Sequence, residues 1–189
     1  MKRLVTTLAA VLTLGACSSG GHHDDPMLIP SGSTGTAALG QPMTDTDLDR
    51  VVSWVQKATD ECDDASPASE EQLAEYLGPQ RFEWYSGYVA QWATCKVAPY
   101  DKIGLVVFEP DAQKAFQESW ITALRSGEER SNPDWAFGNG FAVTAGALGV
   151  EELGLRYLMC EEGEIPGAEV VASDVEGCVF AAFDHHGGT

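Results

Sequence analysis

The chain has 189 residues, with 11 Lys and Arg against 29 Asp and Glu, a formal net charge of −18 at neutral pH. That balance argues against nucleic acid as a partner and against electrostatic docking on anionic lipid, because phosphates reward Lys and Arg. Five Trp and seven Phe within 44% hydrophobic residues can supply a real core, and the length suits one domain.

Lys2 and Arg3 stand before an uncharged run from Leu4 to Leu14. The run is shorter than the ~20 residues that cross a hydrocarbon core. A short apolar run behind positive charge reads as a secretory signal. Leu14-Gly15-Ala16-Cys17 then resembles the lipobox of bacterial lipoproteins: an aliphatic residue, two small residues and Cys. The resemblance implies a signal peptide over 1–16, cleavage before Cys17 and a diacylglyceryl group on the Cys17 thiol. The mature protein would then sit at the cell membrane, held by membrane lipid on the extracytoplasmic side. Two acyl chains are enough for stable anchoring. The composition, rich in Ala, Gly, Asp and Glu and poor in Lys, is similar to that of small lipoproteins of GC-rich bacteria. Beyond Ala16, nine basic residues face 29 acidic ones, a formal charge of −20 (9 − 29).

Residues 18–43 are rich in Gly, Ser, Thr and Pro, without helical or strand periodicity. With the lipidated Cys they read as a flexible tether over 17–43, reaching about 25–30 Å as a coil. A single globular α+β domain is expected over 44–184, followed by a frayed tail, 185–189. Asp45, Asp47 and Asp49 favour a helix N-terminus, and Leu48, Val51, Val52, Val55 and Ala58 recur at helical spacing. Ser66-Pro67 and the capping box Ser69-x-x-Gln72 predict a second helix, with Pro67 near its first turn and Gly78-Pro79 as its stop. Tyr88 to Val97 and Ile103 to Phe108 read as a hairpin turning at Ala98-Pro99-Tyr100-Asp101. Asp111 is the expected cap of a third helix, with Ala112, Ala115, Phe116, Trp120, Ala123 and Leu124 on one face and Gly127 at its end. Ala168 to Ser173 and Cys178 to Phe183 read as further strands. The expected fold is a mainly antiparallel sheet with about three helices packed on one face. Trp84 and Trp135 are 51 residues apart and Gly104 and Gly154 are 50 apart, so the chain could contain a duplicated helix–strand–strand unit.

Cys62, Cys95, Cys160 and Cys178 make an even set, which in an exported chain reads as two disulfides. Of the three pairings, Cys62–Cys95 and Cys160–Cys178 are preferred because each closes a short local loop. No Cys lies within four residues of another, so zinc-ribbon spacing is absent. The four His are His22-His23 and His185-His186, and none lies between Thr44 and Asp184. The expected domain therefore has no imidazole base, which removes Ser–His, Cys–His and His-zinc hydrolase schemes. Asp45-Thr46-Asp47-Leu48-Asp49 lacks a calcium loop's glycine and closing acid, where Arg50 and Gln56 stand. No phosphate loop is present, and no catalytic residue, metal site or cofactor is assigned. Trp120 belongs to a helical stripe. Trp84 and Trp135, each three residues before Gly, are the candidates for a ligand surface. The pattern points to a non-catalytic binding or adaptor module for an envelope protein, a cell-wall component or a small ligand. Two alternatives are a regulatory lipoprotein acting on a membrane signalling protein and a metal-binding lipoprotein using the His pairs.

Overall fold

A computed structural model describes residues 35–40, 43, 47–129, 131–161 and 163–183. The apolar N-terminal segment, Cys17 and both His pairs lie outside the described residues.

Helix α1 (Leu48–Thr59) buries Leu48, Val51 and Val55, as the spacing predicts. Ser66-Pro67 does not open the second helix. It forms the two-residue edge strand β1 (Ser66–Pro67), paired with Thr94 and Ala93. Proline is tolerated there because an edge strand can spare an N–H. The capping box is present: Ser69 Oγ accepts from the Gln72 amide, and the Ser69 amide donates to Gln72 Oε1 at 2.7 Å. It starts α2 (Glu70–Leu77). Gly78, at φ 79°, turns the chain directly into α3 (Pro79–Tyr85), where Pro79 occupies the first turn. A 3-10 turn, Ser86–Tyr88, leads into the hairpin of β2 (Val89–Val97) and β3 (Tyr100–Phe108).

Helix α4 (Ala112–Ser126) ends at a left-handed Gly127, as expected. Its start differs from the expectation. Asp111 holds the cap position at φ 64° with no side-chain capping bond, because the left-handed backbone is not the extended one that a capping side chain needs. The chain continues through β4 (Ala136–Phe137), β5 (Phe141–Val143), α5 (Gly146–Glu151), β6 (Arg156–Cys160), β7 (Ala168–Ala172) and β8 (Cys178–Phe183). All the pairings are antiparallel, in the order β1-β2-β3-β5-β4-β6-β8-β7.

The α+β class is as expected, but the helices are five among the described residues and they cover both faces. Ile103, Leu105 and Val107 of β3 pack with α1 and with Leu148 and Val150 of α5. Val106 and Phe108, pointing the other way, pack with Leu73 of α2, Tyr85 of α3 and Phe116, Trp120 and Ile121 of α4. A strand buried on both faces reads as a nearly continuous apolar run, and Ile103 to Phe108 is one.

The duplicated unit is not found. Trp84 lies within α3, whereas Trp135 immediately precedes β4. Gly104 is inside β3, whereas Gly154 is a left-handed turn residue at φ 65° before β6.

Both preferred disulfides form. Cys62–Cys95 ties the segment after α1 to β2, with Cα atoms 5.0 Å apart. Cys160–Cys178 joins directly opposed residues of β6 and β8, with Cα atoms 4.0 Å apart. Part of the stretch read as tether packs on the domain. Gly35–Leu39 form a 3-10 helix, and Leu39 and Met43 are buried. The Met43 amide donates to the Asn139 carbonyl at 2.8 Å, and the Asn139 side chain donates to the Gly40 carbonyl at 2.7 Å.

Candidate ligand-binding site

Helices α3 and α4 lie on the same face of the sheet, and an aromatic cluster fills the space beneath them. Helical spacing turns Phe116 and Trp120 inward from α4, four residues apart on one side. Tyr85 enters from the end of α3. Its ring centroid lies 5.4 Å from Phe116, 5.5 Å from Trp120 in a stacked pair and 5.1 Å from Trp135. Phe137 backs Trp135 and Phe116 from β4.

Two cavities open on either side of this cluster. The larger, about 620 Å³, is a groove between α3 and α4 walled by Trp84, Tyr85, Tyr88 and Trp120, with Glu83, Glu118 and Glu128 on its lining. The smaller, about 320 Å³, is lined by Arg81, Glu129, Asn132, Asp134, Trp135 and Thr144. Tyr85 and Trp120 belong to both walls. Trp120 is 4% exposed, and its indole N–H has no acceptor among the described residues. A buried donor left without a partner costs about 1–3 kcal/mol, and this one is sealed within the aromatic cluster.

The two predicted tryptophans meet different fates. Trp135 is 6% exposed and stacks on Phe116 at 5.9 Å, so it is a core residue that only borders the small cavity. Trp84 is half-buried and lines the groove. Tyr85 and Tyr88 were not singled out from the sequence. Their signal was available: an aromatic at every one of 82, 84, 85 and 88 exceeds what one buried stripe of a short helix needs.

Beside the small cavity, Thr144 Oγ1 is hydrogen-bonded to the Tyr76 hydroxyl and accepts from the Gly104 amide at 2.8 Å. A Cβ at position 104 would meet Thr144 at 2.9 Å and Tyr76 at 3.2 Å, so the glycine in β3 is what allows this approach. A wider groove of about 680 Å³, between the start of α1 and β2, has Trp92 as its one aromatic wall. The α3–α4 groove concentrates four rings instead, and for that reason it is the candidate site. Among the described residues no group of three or more His, Cys, Asp or Glu is arranged to hold a metal, and no helix is long and apolar enough to cross a membrane.

Burial raises the Tyr85 pKa well above its ordinary value of 10.0; Arg81 lowers it and Glu129 raises it, both to a smaller degree. Below pH 10 the phenol is neutral folded and unfolded, so it contributes nothing to pH dependence. Above that, the unfolded chain ionises and the folded one does not, so stability falls as pH rises. Tyr157 is raised in the same direction, first by burial and then by Asp134, Glu151 and Tyr100. Tyr85→Phe should therefore extend the alkaline limit of the folded state. Tyrosinate absorbance in wild type should show a class of tyrosines that ionises only on unfolding. Full ionisation near pH 10 in the folded protein would contradict this burial.

No family model, curated protein or solved structure matches the chain.

Proposed function

We propose that this chain is a lipid-anchored extracytoplasmic lipoprotein whose domain is a non-catalytic binding module, with its ligand seated in the α3–α4 groove. The observation that carries the reading is the convergence of four aromatic rings on one groove between α3 and α4, with half-buried Trp84 on its lining. Concave sites with aromatic walls and a few fixed polar groups are the usual form of ligand sites. The anchor rests on the resemblance of Leu14-Gly15-Ala16-Cys17 to the lipobox, and an exported location suits two structural disulfides.

Equilibrium dialysis of the wild-type domain and Trp84→Ala against a small-molecule extract of the cell envelope tests the site. A compound enriched by wild type and lost from the variant, read by mass spectrometry, is the expected result. Identical profiles from two folded proteins would remove the groove as a binding site. The anchor is tested separately by intact-mass analysis of the membrane-extracted protein, where Cys17→Ala should abolish the lipid adduct.

A further inference from the structure

We infer that the α3–α4 groove selects an organic ammonium cation; this rests on the binding reading above. Four aromatic rings wall the groove, and Glu83, Glu118 and Glu128 are its charged lining; Glu118 is paired with Lys114 at 3.8 Å, which leaves Glu83 and Glu128 as the carboxylates for a ligand. Aromatic faces attract cations through their quadrupole, and more strongly once the cation is partly desolvated. Half-buried Trp84 and Tyr88 supply such rings at the groove surface, while Glu83 and Glu128 are exposed beside them. The cation would thus meet aromatic faces and carboxylates in the same groove. Its own hydration shell would be replaced by both.

The whole chain favours the same sign of ligand. A formal charge of −18 creates a field that draws cations to the surface and repels anions. Neutral ligands gain nothing from that field or from Glu83 and Glu128.

Ala115, Ser119 and Ala123 of α4 also line the groove, and their small side chains let a bulky ammonium group approach the helix. Another carboxylate-lined cavity, about 540 Å³ beside Met43, has Glu109, Asp111 and Asp174 but also Lys114, and only one ring, that of Phe108. It has the charge without the aromatic walls.

The test uses choline as the probe and dimethylbutanol, its neutral carbon isostere, as the control. Binding is followed by tryptophan fluorescence and calorimetry. Choline should quench and bind, with affinity falling as salt is added, and the isostere should bind at least ~10-fold more weakly. Trp84→Ala should weaken choline by about 3- to 30-fold, the span of one cation–aromatic contact. Glu83→Gln with Glu128→Gln keeps every ring. It should weaken choline several-fold and flatten the salt dependence, provided both variants melt as cooperatively as wild type. Equal binding of choline and the isostere would overturn the cation assignment and leave the groove a binding site. No binding of choline to the folded domain would also overturn it, and the dialysis experiment would then decide the broader reading on its own.

Discussion

Removing both disulfides should unfold most of the population at physiological temperature. Cys62–Cys95 closes a loop with a sequence separation of 33, and Cys160–Cys178 one with a separation of 18. On the chain-entropy account each restricts the unfolded state by about 3–4 kcal/mol. The loops do not overlap in sequence, so the two effects should be close to additive, about 7 kcal/mol together. That is between about half and all of the total stability of an ordinary domain, about 5–15 kcal/mol. Calorimetry on Cys62→Ser with Cys95→Ser, on Cys160→Ser with Cys178→Ser, and on all four should show the single losses lowering Tm by roughly 6–16 °C. The quadruple variant should show little or no folding transition. The Cys62 pair should matter more. Its loop is longer, with a sequence separation of 33 against 18. The Cys160 pair sits in a ladder already closed by Glu161 N–H to the Gly177 carbonyl at 2.8 Å. A quadruple variant with an unshifted melt would show that the sheet and its two cores suffice, and would remove the link between the cysteines and an oxidising compartment.

The features legible in the sequence were those with a local cause. Ser69 and Gln72 mark a helix start because both partners of the reciprocal bonds lie within one turn. Gly127 marks a helix end because the left-handed cap asks for a residue without a Cβ. The disulfide pairing followed from loop length, a property of the chain alone. The face on which each helix packs was not legible, because an amphipathic stripe says that a helix has a buried side and not which side of the sheet receives it. The continuous run of β3 did carry the clue that both faces are covered.

Two helices escaped for different reasons. The seven residues of α3 begin at Pro79, which stops one helix and starts the next with a single Gly78 between them. In α5, Gly146 and Gly149 lower helix propensity. They are needed because a Cβ at 149 would sit 2.2 Å from the Ala136 Cβ, and one at 146 would sit 2.5 Å from Tyr157. Packing against β4 and β6 therefore overrides propensity. The burial of Leu39 and Met43 within a Gly- and Ser-rich stretch has no periodic signal, since isolated apolar residues in a polar run look alike whether they dock or not. For the candidate site the same division holds. Trp84 was visible as an aromatic without a core stripe. The opposing wall was not, because α4 reaches it only through tertiary packing.

Phe116→Ala should cost about 3–5 kcal/mol, the range for deleting a large ring from a packed core. Phe116 is fully buried, and six rings surround it: Tyr85 at 5.4 Å, Phe108 at 5.6 Å, Trp120 and Phe137 at 5.7 Å, and Tyr88 and Trp135 at 5.9 Å. These partners come from α3, the 3-10 turn, β3, α4, β4 and the residue before it, so the void cannot close by moving one element. Urea denaturation should show a lower midpoint with an unchanged slope. Phe116→Leu, which keeps most of the volume, should lose less than about half as much. The same substitution bears on the groove, since Tyr85, Tyr88 and Trp120 form its inner wall and rest on Phe116. Phe116→Ala should therefore lose both stability and ligand. Trp84→Ala, at a half-buried position, should lose ligand with a much smaller stability cost. That separation identifies the groove as a site built on the core rather than a gap in it. A Phe116→Ala variant within ~1 kcal/mol of wild type would mean that the cluster is loosely packed. The α3–α4 groove would then lose the rigid wall on which its recognition depends.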